Sequence, residues 1–147
     1  MIHFEYVNDT GKRIADIIRK ENLPFEGEAI VFVGAMGICV RKILPVVNDK
    51  YADPAVICID STGKYIIPVL SGHVGGANSL ARSIASVLGG EAIITTQSDN
   101  MGLWPLDTLA ADFRWTAASI PRQEMNACIA AFVNKQPTAL VIECDDA

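Results

Sequence analysis

The chain has 147 residues, half of them hydrophobic and 20% charged, with a net charge of −5. That length fits one domain, residues 1–147, able to bury roughly 70% of its unfolded surface, and the apolar share excludes a disordered, charge-solvated chain. Twelve Lys and Arg against seventeen Asp and Glu, with no dense basic run, exclude an electrostatic nucleic-acid binder.

Residues 2–7 alternate weakly and read as a strand. Asn8-Asp9-Thr10-Gly11 is a turn that can cap a helix. Ile14, Ile17 and Ile18 recur at helical spacing with charges on the other faces, so an amphipathic helix runs to about residue 22. Residues 29–33 form a continuous β-branched and aromatic run, as expected of a strand buried on both faces. Gly34-Ala35-Met36-Gly37 follows, then an apolar helical segment over about 38–47 that Pro45 can end early.

Residues 55–60 and 65–70 read as two strands of a β-hairpin around Ser61-Thr62-Gly63-Lys64, with Pro68 marking an edge or a bulge. Asp60 serves the hairpin turn, and Asp53 supports the Asp53-Pro54 turn. A glycine-rich loop over 71–78 leads into a helical stripe of Leu80, Ile84, Val87 and Leu88, closed by Gly89-Gly90. Residues 92–96 read as a buried strand, 103–118 as partly helical, 121–134 as a helix with Pro121 in its first turn, and 138–144 as a final strand. The alternation gives a layered α/β/α sandwich whose sheet is mixed, mainly parallel, and contains one hairpin.

Cys39, Cys58 and Cys128 lie in apolar runs and read as reduced core residues; no cysteine spacing matches a zinc site. The first residues have no basic region followed by a signal-type apolar core, and no run approaches the ~20 apolar residues of a membrane helix. A cytoplasmic protein without membrane partners is expected.

Three strand exits carry the chemistry. They are Gly34-Ala35-Met36-Gly37, the run Ser71-Gly72-His73-Val74-Gly75-Gly76-Ala77-Asn78, and Thr95-Thr96-Gln97-Ser98-Asp99. Ligands of open α/β sheets sit beyond the carboxyl ends of strands. Glycines let a backbone approach a ligand, and helix N-termini aim N–H groups at it, so an anionic ligand is implied. Neither glycine loop is GxGxxG or Walker A. Imidazole titrates near neutrality, which makes His73 the candidate base. Ser71 lies two residues away, but without a GxSxG elbow water activation is favoured over an acyl-serine. Asp99 is the acidic candidate, and Arg41 can pair with a substrate carboxylate. The scattered ligand types do not make a metal site. The reading requires that the turns holding Met36, His73 and Asp99 converge.

Four runs carry a family resemblance. Met36-Gly37-Ile38-Cys39-Val40-Arg41-Lys42-Ile43-Leu44-Pro45 resembles MGIxVRxIxP, and Asp49-Lys50-Tyr51-Ala52-Asp53-Pro54-Ala55-Val56 resembles DKxxDPAV. Leu70 to Ala81 is similar to LSGHxGGANxLA, and Thr95 to Asn100 to TTATDVN. Together they resemble the CbiG family of cobalamin biosynthesis, the cobalt-precorrin-5A hydrolases, without the family's C-terminal domain. The resemblance implies that water opens the ring-A lactone of a cobalt corrinoid of the anaerobic pathway and that acetaldehyde leaves. Cobalt would belong to the substrate, with no cofactor held by the protein. His73, Ser71 and Asp99 would be catalytic, and Met36, Gly37, Arg41, Gly72, Gly75, Gly76, Asn78, Thr95 and Thr96 would bind substrate. The C-terminal domain and neighbouring pathway enzymes would be partners. A corrinoid-binding or scaffolding module without catalysis is the alternative, and a phosphate- or nucleotide-binding domain a weaker third.

Overall fold

The computed structural model describes residues 1–143, with residues 98 and 99 described by their backbone alone. The chain gathers into two compact units, Met1–Thr96 and Gln97–Ala147, where the length suggests one domain. Among the described residues no helix is long and apolar enough to cross a membrane.

In the first unit the elements run β1 (Ile2–Tyr6), α1 (Asp9–Lys20), β2 (Ala29–Val33), α2 (Met36–Ile43), β3 (Ala55–Ile59), β4 (Tyr65–Leu70), α3 (Ala77–Leu88) and β5 (Glu91–Ala92). The strands lie in chain order in one sheet. All neighbours are parallel except the β3–β4 hairpin, so the mixed, mainly parallel sheet expected from the sequence is present. The side-chain period of two sorts β2 and β3 onto two faces. Val31, Val33, Ile57 and Ile59 meet Ile14 and Ile18 of α1 and Leu80 and Ile84 of α3, whereas Phe32, Val56 and Cys58 meet Cys39 and Ile43 of α2. The layers are therefore α1 and α3, the sheet, and α2. The connections β1–α1–β2 and β2–α2–β3 step the same way across the sheet with helices on opposite faces. They therefore have opposite hands, a departure from the usual right-handed rule.

Local chemistry explains the boundaries. The Asn8 side chain accepts the Gly11 N–H at 2.9 Å and starts α1. α2 begins two residues earlier than the apolar pattern suggests and ends at Ile43; Leu44 still has helical dihedrals, and Pro45, which has no N–H to donate, stops the ladder. Gly89, at φ +66°, closes α3. β5 is only two residues long, against the five expected. The Ile93 N–H reaches the Ile66 carbonyl at 2.9 Å. The next bond of a parallel ladder would be donated by residue 68, and Pro68 has no N–H. Opposite the same proline, the β3–β4 register shifts between Val56 and Ile57, the bulge that its position implies.

The Asp60 carboxylate accepts N–H bonds from Thr62, Lys64 and Tyr65 at 3.1, 3.0 and 2.7 Å. Burial pushes its pKa up, but the Thr62 hydroxyl and these N–H groups outweigh burial and hold it below the usual carboxylate value. A depressed native pKa contributes stability above the unfolded value of about 3.9, and that stability is lost as pH falls through the native value. Asp60→Ala is therefore expected to cost about 1 kcal/mol at pH 7. In thermal melts at stepped pH, the gap to the parent should narrow from about pH 4 downward. A gap that does not change with pH would show that the charge does not hold the turn.

The second unit holds α4 (Gln97–Asn100), α5 (Leu109–Asp112) and α6 (Arg122–Val133). Residues 138–143 are not in a strand, and residue 144 lies outside the described residues. A β-prone segment becomes a strand only by pairing, and no described strand pairs with this one. Cys39 and Cys58 are buried, as their apolar surroundings imply, but Cys128 is exposed because α6 has no buried residue. A hydrogen bond between the two buried thiols lowers the pKa of Cys39 and raises that of Cys58, and burial raises Cys58 further.

Candidate functional site

The hairpin decides which loops can meet. Val33 pairs with Ile59 and Ile59 with Ile66, so β2 ends where β4 begins. Val56 pairs with Leu70, so β4 ends where β3 begins. The expected convergence of Met36 and His73 therefore fails. Met36 and Gly37 lie past one end of the sheet and His73 past the other, separated by the length of a five-residue strand, roughly 17 Å. Arg41 is exposed on α2, on the face opposite α1 and α3, and joins none of the ion pairs among the described residues. The side chain of Asp99 lies outside the described residues.

What does assemble is the end of the sheet where β4 and β5 finish. Ser71 leaves β4 in the left-handed region at φ +59°, a conformation that costs a non-glycine residue roughly 1 kcal/mol or more. Its hydroxyl donates to the Asp53 carbonyl at 3.2 Å, not to the imidazole two residues on. The Asp53 carboxylate in turn accepts the Asn48 and Asn48-adjacent Asp49 N–H groups at 2.7 and 3.1 Å and shapes that turn, as its position before Pro54 suggests. His73 is half-buried in the loop.

The glycines serve the loop's own compactness. A Cβ on Gly72 would lie 2.7 Å from Asn78 Oδ1, and one on Gly75 would lie 2.3 Å from Ser71 Cβ. Gly76 starts α3 at φ +78°. The loop then caps α3 with its own carbonyls: the N–H groups of Gly76, Ala77 and Asn78 donate to His73, Ser71 and Gly72 at 3.1, 3.0 and 3.0 Å. These are the donors that the sequence offers to an anion, and the fold engages them internally. Gly37, by contrast, is exposed, and a Cβ there would meet nothing within 4 Å.

Asn78 is buried at 4% exposure. Its Nδ2 donates to Thr96 Oγ1 at 2.9 Å, tying the start of α3 to the exit of β5. It braces the site from beneath rather than presenting an amide to a ligand, whereas Thr95 beside it is exposed. Asn78→Ala is expected to cost about 2 kcal/mol, because the remaining buried polar partners lose a bond. A double-mutant cycle with Thr96→Ala, read by denaturant unfolding, should give a coupling of roughly 1 kcal/mol. Strict additivity would mean that the two side chains act independently.

Beside the loop lies a groove of about 330 Å³, walled by Phe25 and Glu26 on one side and by Val74, Gly75, Ser79 and Ser83 on the other. Phe25 and Glu26 carry no motif, and only tertiary placement brings them to the histidine loop, whereas Ser79 and Ser83 follow that loop directly on α3. This end of the sheet thus carries a half-buried imidazole, a strained serine and the Thr95 and Thr96 hydroxyls, next to a small groove walled by Val74 and Gly75 of the same loop; an imidazole is a residue type able to activate water.

Comparison with known proteins places this architecture. Residues 20–99 match the family described as cobalamin synthesis G N-terminal, and residues 104–147 the one described as cobalamin biosynthesis central region. A protein of Salmonella typhimurium named cobalt-precorrin-5A hydrolase is 52% identical over 82 residues, covering 56% of this chain and 23% of that protein. One of the same name from Priestia megaterium is 38% identical over 116 residues, covering 79% of this chain and 30% of that protein. The chain thus spans less than a third of the length of these two relatives. The crystal structure of a cobalamin biosynthesis protein G homologue from Sulfolobus solfataricus superposes with a TM-score of 0.55 at 23% identity, covering 99% of this chain and 51% of that one, and shares the fold.

Proposed function

Because the chain belongs to the CbiG family of cobalamin synthesis, we propose that it acts as a hydrolase on a cobalt corrinoid, opening the ring-A lactone of cobalt-precorrin-5A with loss of acetaldehyde. The observation that carries this reading is the loop Ser71–Gly76, which seats His73 at the one sheet end where the β4 and β5 exits meet. The names of the relatives, cobalt-precorrin-5A hydrolases, supply the substrate.

In this reading His73 takes a proton from water as its oxygen attacks the lactone carbonyl. The carbonyl becomes an oxyanion, which collapses and expels the ring oxygen; that oxygen then forms the carbonyl of acetaldehyde as the carbon–carbon bond to the macrocycle breaks, and the electron pair of that bond stays on the macrocycle, which takes up the proton drawn from water. Hydroxyl donors near the developing charge lower the barrier, and in this reading the exposed Thr95 supplies one. Ser71 holds the loop on Asp53 and so positions the imidazole. The macrocycle is larger than the groove, which would accept one edge of it. Cobalt enters with the substrate.

The internal engagement of the Ala77 and Asn78 N–H groups favours a second reading, a corrinoid-binding module that performs no chemistry. Incubation with cobalt-precorrin-5A separates the two. A shifted corrin absorption together with released acetaldehyde supports the hydrolase, binding without acetaldehyde supports the module, and neither change sinks both.

A further inference from the structure

The second unit displays a cluster of aromatic rings that the reaction above does not use. The chain has two tryptophans, and both are here. Trp104 packs edge-on against Phe113 with centroids 6.4 Å apart, and Phe113 stacks on Trp115 at 4.8 Å with the planes 19° apart. The three residues are 57%, 53% and 42% exposed. Single exposed aromatics are ordinary, but three contiguous rings, each about half exposed, make an apolar patch on which a planar molecule can stack.

The backbone builds this platform at a cost. Past α5 the Arg114 N–H reaches Ala111 O at 3.1 Å and the Trp115 N–H reaches Ala110 O at 2.7 Å, the paired bonds of a Schellman turn. The left-handed position of that turn, normally glycine, is Arg114 at φ +57°. The turn sets the rings on either side of Arg114 against each other. Retaining arginine there keeps an exposed cation between them, and Arg114 joins none of the ion pairs among the described residues. Exposed aromatic surface next to a cation complements a disc-shaped molecule with apolar faces and anionic arms.

We infer that Phe113, Trp115 and Arg114 form a binding platform for the face and a rim carboxylate of the corrinoid macrocycle. This rests on the corrinoid reading above. The occupant is fixed by charge complementarity and ring geometry. Stacking on an aromatic platform contributes about 1.4–3 kcal/mol per ring system, a factor of roughly 10 to 150 in affinity.

The test titrates the full chain with cobyrinic acid, a cobalt corrinoid whose side chains end in carboxylates, and reads the dissociation constant by calorimetry. Trp115→Ala should weaken binding at least tenfold, and Trp115→Phe should restore most of it. Arg114→Gly, which suits the left-handed turn and removes the charge, should weaken binding and flatten its salt dependence. Far-UV circular dichroism shows whether each variant is folded. Unchanged affinity in both Trp115→Ala and Arg114→Gly would overturn the platform and leave the corrinoid reading intact. Failure of the parent chain to bind cobyrinic acid or to act on cobalt-precorrin-5A would remove that reading and the platform with it. Loss of a concentration-dependent dimer in Trp115→Ala, without loss of affinity, would mean that a second copy covers the rings.

Discussion

His73→Ala is expected to lower turnover of cobalt-precorrin-5A by a factor on the order of 10² or more, the usual contribution of a positioned general base. The loop should survive the change, because its carbonyl caps and its Ser71–Asp53 bond use no atom of the imidazole. Three readouts separate chemistry from architecture. Melting temperature should stay within a few degrees of the parent. Corrinoid affinity should change little, so the loss falls on kcat. Added imidazole should recover part of the rate in His73→Ala, because a small base can occupy the space vacated by the ring. Near-parental turnover in the variant would remove the histidine from the mechanism. A loss accompanied by unfolding would instead assign it a structural role, and His73→Asn, which keeps a hydrogen-bonding side chain, would then restore the melt.

Much of this fold is readable from local signals. The β-branched runs, the Asn8 cap, Gly89 and the hairpin around Asp60 each announce themselves by residue type. The hairpin also contains the fact that separates the two glycine loops. A hairpin reverses the chain, so the exit of β4 must lie at the end of the sheet where β2 and β3 begin. Treating every strand exit as one rim holds only for an all-parallel sheet. The early end of β5 was equally present in the sequence, as the missing N–H of Pro68, but its effect depends on which strand pairs beside it. Glycine roles were the least legible. Gly37 and Gly75 look alike in a motif, and only the packing around each distinguishes an open helix turn from a crowded loop. Phe25 reaches the groove through tertiary placement alone.

That distinction gives the second large effect. Gly75→Ala should reduce turnover by about 10²-fold, whereas Gly37→Ala should leave it unchanged. At position 75 the new methyl would lie 2.3 Å from Ser71 Cβ and 2.9 Å from the Ser71 carbonyl oxygen. Neither neighbour is the far end of a flexible chain. Ser71 is held at φ +59°, its hydroxyl on Asp53 and its carbonyl on the Ala77 N–H. Relief therefore requires the loop itself to open, which carries His73 with it, and a displacement near 1 Å is enough for a loss of that size. The accompanying cost in stability is about 1–3 kcal/mol, small enough for the sheet and α3 to remain folded. Ser71→Gly in the same chain removes the Cβ on the other side of the clash and should recover part of the rate lost in Gly75→Ala. At position 37 the methyl enters open space on an exposed turn of α2, where exchanging glycine for alanine stabilises a helix by up to about 1 kcal/mol. Steady-state kinetics and thermal melts on the two single variants decide between the ends of the sheet. A neutral Gly75→Ala beside a crippled Gly37→Ala would move the site to the Met36 end and leave the histidine loop as a helix cap.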